Sequence, residues 1–148
     1  MQKIIKGKNL YLKLESESQG FSCTKGWYYR IFLYNGEVVG RIELHPNDSS
    51  EYITEGNIGY FIYEFDRGHG YAKEASEVLL KYAYDYLGMK NIRVTMLPDN
   101  EASKHVAQSL GGTYIEYAKV PKNSKLYGTI EGVLVYNIDL EKRKGKKL

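Results

Sequence analysis

The chain has 148 residues and a mass of 17.0 kDa, which is the size of one compact domain. Hydrophobic residues make up 43% and charged residues 26%, a globular composition that excludes the disordered, collagen-like and fibrous classes. The net charge of +3 does not indicate a nucleic-acid-binding protein, and no apolar run approaches the roughly 20 residues that cross a bilayer.

The N-terminal residues and the small number of cysteines and histidines exclude further classes of protein. Lysines interrupt the apolar residues near the N-terminus, so no stretch resembles a secretory signal and we expect a cytoplasmic protein without a membrane partner. A single cysteine, Cys23, excludes an intrachain disulfide and a multi-cysteine metal site. The three histidines lack the spacing of metal ligands, and we expect no metal.

The first 63 residues contain short alternating apolar segments. Residues 10–14 predict a first strand, and residues 15–26 have no periodicity and predict a loop. Asn35-Gly36 lies between two further strand patterns, and because both residues tolerate a positive φ it predicts a hairpin. A fourth strand follows over residues 58–63.

Helical periodicity begins at Tyr71. Apolar residues recur there at three- and four-residue spacing, which predicts an amphipathic helix of roughly 25 Å that ends at Gly88. Residues 92–97 then predict a strand, and Asp99 or Asn100 is placed to cap a shorter helix.

The last part of the chain completes one domain. Strand patterns at residues 114–120 and 133–140 flank residues 121–130, a loop long enough to line a site. We therefore predict a single domain of the α+β or mixed α/β class over residues 1–140. Five of the last eight residues are Lys or Arg, so residues 141–148 predict a basic, disordered tail.

The segment RGHGYA at residues 67–72 lies between the fourth strand and the long helix. A helix N-terminus presents unpaired N–H groups and partial positive charge, and glycines 68 and 70 let an anion approach the backbone. These residues predict a phosphate site, although the same glycines also suit a tight strand-to-helix turn. A dinucleotide fingerprint fails at Lys73, where it needs Gly or Ala, and a P-loop motif is absent.

Residues 59–75 resemble the coenzyme A signature of the GNAT superfamily of N-acetyltransferases. Its form, Arg/Gln-x-x-Gly-x-Gly/Ala, is met by Arg67, Gly70 and Ala72. The preceding Gly-Tyr-x-Ile and the later sequence NEAS at residues 100–103 resemble the ribosomal-protein N-terminal acetyltransferase branch of that superfamily.

The resemblance implies a fold. We expect a mixed, mostly antiparallel sheet of about seven strands, splayed at its centre, with the long helix after strand 4 and the shorter helix after strand 5. The two helices that family members place after the first strand are reduced or absent here, because residues 15–26 are too few and too polar to form them. The acceptor site is then open, which suits a peptide terminus or an exposed lysine, unless a partner subunit in a homodimer or the loop at residues 121–130 closes it.

The resemblance also implies acetyl-CoA as co-substrate, no metal, and direct acetyl transfer to a primary amine of a peptide, protein or small molecule. Backbone groups of Phe61 and Ile62 would pair with the pantetheine arm, and Asn100 would contact that arm or bridge to the second helix. The amides that would hold the pyrophosphate are those of Arg67, Gly68, His69, Gly70, Tyr71 and Ala72.

The residues that would act as general acid and general base depart from the pattern of the family. Seven residues after the Asn of the second motif, where many members carry a Tyr acid, this chain has Ala107, and the branch suggests Ser103 instead. A Ser at a helix start is as often a local backbone partner. Where some members carry a Glu base the chain has Asn57, so Glu43 and Glu55 are the candidates.

Two other functions stay open at this point. A non-catalytic acyl-CoA-binding or regulatory module would keep the cofactor cleft without an acid and a base. A nucleic-acid-binding domain would use the basic tail, and its binding would depend steeply on salt.

Overall fold

The computed structural model describes residues 1–18, 26–46, 54, 56–124 and 126–144. Within these residues the chain forms eight strands, three helices and a 3-10 turn at Glu64–Asp66. The strands are Ile4–Lys6 (β1), Leu10–Ser18 (β2), Gly26–Leu33 (β3), Val38–Leu44 (β4), Ile58–Ile62 (β5), Asn91–Met96 (β6), Thr113–Lys119 (β7) and Gly132–Asp139 (β8). The helices are Tyr71–Leu87 (α1), Glu101–Ser109 (α2) and Leu140–Lys144 (α3).

The strands form two antiparallel sheets. The first has the order β1-β2-β3-β4-β5 and the second the order β6-β8-β7. Helix α1 connects β5 of the first sheet to β6 of the second, and α2 follows β6. The predicted α+β fold, with a mostly antiparallel sheet divided at its centre, is confirmed.

The N-terminal third differs from the sequence prediction in two places. Strand β1 was not predicted, because three residues, the last of them a lysine, are too few to carry a readable alternation. Of the loop predicted over residues 15–26, residues 15–18 belong to β2 and Gly26 to β3, and residues 19–25 lie outside the described residues. The polar residues of β2 are held in the ladder by their pairing with β3, for example Glu17 with Trp27. Cys23 lies outside the described residues.

The strongest local signals are confirmed. Gly36 adopts a φ of +93° in the turn between β3 and β4, where the Gly36 N–H donates to the carbonyl of Leu33 over 2.9 Å. Helix α1 begins at Tyr71 and ends where Gly88 adopts a φ of +68°. Asn100, rather than Asp99, caps α2.

Helix α1 packs its apolar face against one face of the five-stranded sheet. The buried residues of α1 include Ala75, Leu79, Leu80 and Ala83, and those of the sheet include Leu12, Tyr29, Ile31 and Ile42. Because side chains alternate across a strand, Arg30 and Arg41 point to the opposite face of this sheet, where they are exposed. Among the described residues, no helix is both long and apolar enough to cross a membrane.

Asn57 joins the two sheets at the point where they diverge. Its backbone N–H donates to the carbonyl of Arg93 in β6 over 2.7 Å, and its side-chain oxygen accepts from the Arg93 N–H over 2.7 Å. Its side-chain nitrogen donates to the carbonyl of His45, after β4, over 2.8 Å. Asn57 is only 3% exposed, so these bonds are shielded from water.

Helix α3 occupies part of the predicted tail. The domain boundary predicted at residue 140 falls on its first residue, Leu140, which is buried. The Arg143 guanidinium donates to the carbonyl of Leu110 at the C-terminal end of α2, which is a favourable place for a cation. The tail is therefore helical up to Lys144, and residues 145–148 lie outside the described residues.

Candidate active site

Strand β5, the first turn of α1 and the start of α2 enclose a cavity of about 520 Å³, here called the donor cavity. The predicted cofactor residues that line it are Phe61, Ile62, Arg67, Gly68, Gly70, Tyr71, Ala72, Asn100 and Ser103. His69 is not among the lining residues, because its ring stacks on Tyr71 at 5.3 Å and its Nδ1 lies 3.1 Å from the carbonyl of Arg67. The fold therefore brings the two sequence motifs to one cavity.

The loop before α1 has the geometry of an anion cradle. Gly68 and Gly70 adopt φ values of +85° and +77°, and an added Cβ at either residue would meet nothing within 4 Å. Gly70 is the N-cap of α1, and no side chain caps the first turn. The N–H groups of that turn are thus left to an anion, and the residues present fit the pyrophosphate of coenzyme A.

Part of the Arg67 guanidinium is already hydrogen-bonded within the protein. Its Nε donates to the carbonyl of Ile62 over 3.0 Å, and its guanidinium lies 5.4 Å from the centroid of the Phe61 ring. Only the two terminal nitrogens of the guanidinium remain for a phosphate. Arg67 therefore also fixes the loop to the end of β5.

The backbone of β5 corrects one prediction. The Tyr63 N–H donates to the carbonyl of Val39 in β4, and backbone groups alternate in direction along a strand. The N–H and C=O of Phe61 therefore also face β4, in register with Arg41, whereas those of Tyr60 and Ile62 face the gap between the sheets. Of the β5 residues that line the donor cavity, Tyr60 and Ile62 therefore turn their backbone groups to the gap, and Phe61 does not.

A hydroxyl pair crosses the donor cavity. The Tyr60 hydroxyl donates to Ser103 Oγ over 3.4 Å, and the Ser103 N–H donates to the capping oxygen of Asn100 over 3.1 Å. Burial raises the pKa of the Tyr60 phenol above its ordinary value. The hydrogen bond to Ser103 acts in the opposite direction, but its effect is smaller. Tyr60 thus keeps its proton at neutral pH and leaves the Ser103 proton free to donate. Ala107 is fully buried in the core.

A second cavity, of about 290 Å³, lies on the outer face of the first sheet and is called the acceptor cavity. Tyr60 and Phe61 line both cavities, so the two meet across β5. Glu43 also lines the acceptor cavity, with one carboxylate oxygen 3.7 Å from Nε2 of His45. Gly59 makes room for it, because a Cβ at Gly59 would lie 2.8 Å from that same oxygen.

Basic and acidic side chains alternate around the acceptor cavity. Arg41 and Glu15 line it together with Glu43. The Arg30 guanidinium donates to Glu15 over 2.7 Å and holds the pKa of that carboxyl below its ordinary value. Of the described carboxylates in the cavity, Glu43 is the one without an arginine bonded to it, and it is therefore the one free to accept a proton.

Glu55, Asn57 and the loop at residues 121–130 are the remaining sequence candidates. Glu55 lies outside the described residues, and both side-chain groups of Asn57 are engaged between the sheets. No described residue of the loop at 121–130 lines either cavity. Within the described part of the chain, no three His, Cys, Asp or Glu side chains are grouped to hold a metal ion.

Sequence reasoning missed Tyr60 and Arg41. Tyr60 fits the alternation of a half-buried strand, which predicts a core position and says nothing about a hydroxyl partner. Arg41 and Glu43 are two residues apart on β4 and so share a face, a spacing that would have paired them as candidates.

Comparison with known proteins identifies the family to which the chain belongs. The family described as "Acetyltransferase (GNAT) domain" matches residues 7–113, well over half of the chain. Over 115 residues the chain is 27% identical to "Putative ribosomal N-acetyltransferase YdaF" of Bacillus subtilis (strain 168). That match covers 78% of this chain and 61% of the relative, so the chain spans about three fifths of the length of this curated relative.

Solved structures share the fold. The structure of "a putative ribosomal-protein-serine acetyltransferase from Vibrio cholerae" gives a TM-score of 0.68 at 15% identity, covering 92% of this chain and 97% of that one. Spermidine/spermine N-acetyltransferase SpeG from Vibrio cholerae gives a TM-score of 0.64 at 17% identity, covering 83% and 70%. The comparisons agree with the resemblance that residues 59–75 carry.

Proposed function

We propose, since this chain belongs to the GNAT acetyltransferase domain family, that it is an N-acetyltransferase that moves an acetyl group from acetyl-CoA directly to a primary amine. One observation carries the proposal: Tyr60 and Phe61 of β5 line both cavities. A donor held on one side of the strand and an amine held on the other side would therefore meet at this strand.

The donor side offers three sets of contacts. The uncapped N–H groups of the first turn of α1 and the terminal nitrogens of Arg67 are placed for the pyrophosphate. The N–H groups of Tyr60 and Ile62 face the gap between the sheets and are available to the pantetheine arm and to the carbonyl oxygen of the acetyl group. Acetyl-CoA, when bound, supplies the thioester carbon that the amine attacks.

The acceptor side needs a base, because an amine is protonated at neutral pH and only its neutral form is a nucleophile. Glu43 is placed to take that proton, and the nearby His45 ring faces its carboxylate. A carboxylate also attracts an ammonium group into the cavity before it loses its proton. The similar proteins are named as a putative ribosomal N-acetyltransferase, a putative ribosomal-protein-serine acetyltransferase and a spermidine/spermine N-acetyltransferase. For this chain we propose a primary amine of a peptide, protein or small molecule as the acceptor.

The leaving thiolate needs a proton donor. Tyr60 donates to Ser103 Oγ, which leaves the Ser103 hydroxyl proton directed elsewhere in the donor cavity. We propose that Ser103 donates its proton to the departing sulfur while it accepts the Tyr60 proton. Solvent then returns a proton to the Tyr60 phenolate, and Glu43 releases the proton that it took from the amine to solvent, so that the cycle balances. The pair of Ser103 and Tyr60 takes the place of the Tyr acid that the family resemblance expected at Ala107.

A second candidate is a non-catalytic acyl-CoA-binding module. It is favoured by Ala107, which is buried, and by Asn57, whose side chain is used between the sheets. Glu43, Ser103 and Tyr60 argue for the enzyme, because they place a base and a proton donor on the two sides of β5. Location in the cytoplasm and assembly as a homodimer stay predictions.

A calorimetric titration followed by a thiol-release assay tests the proposal. Wild-type protein should bind acetyl-CoA and Gly70→Trp should not, because the new side chain would occupy the donor cavity. Gly128→Trp is the matched control, since Gly128 has a similar φ of +86°, equally open surroundings and a place in neither cavity.

The thiol-release assay then uses amines and peptide termini as acceptors. Amine-dependent release of free thiol supports the enzyme. Binding of acetyl-CoA without release across the whole set would favour the non-catalytic module. A folded wild-type protein that does not bind acetyl-CoA would contradict both.

A further inference from the structure

We propose that the acceptor is the N-terminus of an acidic peptide, and that Arg41 binds the first carboxylate that follows the amine. The inference rests on the proposed function, because it concerns the acceptor cavity beside Glu43. It adds to that cavity a subsite for anions. The subsite is formed by Lys13, Arg30 and Arg41, here called the cation row.

The cation row crosses three neighbouring strands on the outer face of the first sheet. Lys13 of β2 is in register with Arg30 of β3, and Arg30 is in register with Arg41 of β4. All three residues are exposed. Side chains directly opposite each other have Cβ atoms about 4.5–5.5 Å apart, and like charges in such pairs destabilise a sheet. The row therefore costs stability unless an anion lies against it.

One carboxylate of the protein balances part of this charge. Glu15 accepts from Nε of Arg30 over 2.7 Å and from a terminal nitrogen of the same guanidinium over 3.2 Å. Among the described residues, no carboxylate forms an ion pair with Arg41 or Lys13. The row thus keeps a net positive charge that the carboxylates of a bound peptide can balance.

The row begins inside the acceptor cavity. Arg41 and Glu43 both line that cavity, and they are two residues apart on β4, so their Cα atoms are separated by about 6.7 Å on one face. An extended peptide advances about 3.3 Å per residue. A peptide whose terminal amine lies at Glu43 therefore brings its second or third residue to Arg41. From there the row continues for two strand spacings, about 10 Å, to Lys13.

The same charges disfavour two other kinds of ligand. A polyamine or a lysine-rich peptide would place a second cation against Arg41. A polynucleotide would bring phosphates against Glu15 and Glu43, which line the cavity beside the row. A carboxylate without an arginine bonded to it, next to cations without ion pairs, instead matches an ammonium group followed by carboxylates.

Three matched peptides test the inference. They are amidated pentapeptides that differ only at positions two and three, where they carry Glu, Gln or Lys, and kcat/KM and the dissociation constant are measured for each. Wild-type protein should prefer the Glu peptide to the Gln peptide by on the order of tenfold in both quantities, and the Lys peptide should be the poorest. Arg41→Gln should remove the preference for Glu, and Arg41→Glu should reverse the order.

Two controls separate recognition from charge in general and from stability. Lys119→Gln removes one positive charge from an exposed position of β7 that lines neither cavity, so it should keep the wild-type order. Arg41→Gln should not lower the midpoint of urea denaturation, because it removes a like-charge pair with Arg30. A lower midpoint would mean that Arg41 supports the fold, and equal effects of Lys119→Gln and Arg41→Gln would mean that only net charge matters. Either result overturns the inference.

The remaining outcomes distinguish the subsite from the proposed function. Equal transfer to all three peptides refutes the subsite and leaves the acetyltransferase intact. Tighter binding of the Glu peptide that depends on Arg41, without transfer to any peptide, supports the subsite and refutes the transfer. Neither binding nor transfer with any of the peptides refutes a peptide acceptor. An oligouridylate that binds more tightly than the Glu peptide and displaces it would make the row a nucleic-acid surface and overturn the inference.

Discussion

Replacing Asn57 by Ala should destabilise the protein more than any other single loss of polar atoms discussed above. The substitution removes the oxygen that accepts from the Arg93 N–H and the nitrogen that donates to the His45 carbonyl. Both bonds are short, at 2.7 and 2.8 Å, and Asn57 is 3% exposed. Water cannot easily replace them, so a backbone donor and a backbone acceptor lose their partner.

The magnitude follows from those two bonds. Each contributes about 1 kcal/mol net, and a buried group left without a partner costs about 1–3 kcal/mol. We therefore expect Asn57→Ala to lower the free energy of unfolding by about 2–4 kcal/mol, a large part of the 5–15 kcal/mol or so that is typical of a protein. Because Asn57 joins the sheets where the donor gap opens, affinity for acetyl-CoA should fall as well.

Urea denaturation followed by circular dichroism measures the effect. Asn137→Ala is the matched control, because Asn137 also donates through its side chain, to Asn91 over 3.0 Å, but on the surface. The control should lose less than about 0.5 kcal/mol. A loss below about 1 kcal/mol in Asn57→Ala with an unchanged m-value, or an equal loss in Asn137→Ala, would refute the reasoning.

Three further predictions concern the site and the last helix. Tyr60→Phe should lower kcat by on the order of tenfold to a hundredfold with little change in KM for acetyl-CoA. Because burial raises the pKa of Tyr60, ionisation of this phenol should not lower the rate of the wild-type protein below pH 10. An unchanged kcat would remove Tyr60 from the mechanism. Glu43→Gln should lower kcat by about 10²–10⁴ and recover at high pH, where more amine is neutral, and a uniform loss across the pH profile would instead indicate a binding role. Arg143→Ala should cost about 1–3 kcal/mol in urea, because the Leu110 carbonyl loses a charged donor, and no loss would mean that water replaces it.

The sequence predicted the parts of the fold that local chemistry determines. Asn35-Gly36 makes a turn wherever two strand patterns flank it, and Gly88 and Asn100 end and begin helices through their own backbone and side chain. Strand β1 and the end of β2 were missed for the opposite reason. Their residues carry no pattern of their own and are strand because a neighbouring strand accepts their backbone bonds.

In the candidate site, too, the sequence predicts features that depend on neighbouring residues and misses those that depend on distant ones. Gly68 and Gly70 mark an anion cradle in the sequence because their conformations and the helix start are local properties. The role of Tyr60 depends on Ser103, 43 residues later, and on which edge of β5 is left unpaired. No periodicity carries that information, so the sequence did not show that the backbone groups of Phe61 face β4 while those of Ile62 face the gap.

Asn57 shows why a residue missing from a family pattern is not by itself evidence of lost activity. The family resemblance expected a base at this position, and the structure uses the Asn amide as both donor and acceptor to hold the two sheets together. A carboxylate cannot donate to the His45 carbonyl unless it is protonated, so a Glu at this position would have to give up either this bond or its role as a base. For the proposed transfer the base would therefore come from another element, and Glu43 lies on the neighbouring strand with its carboxylate over Gly59.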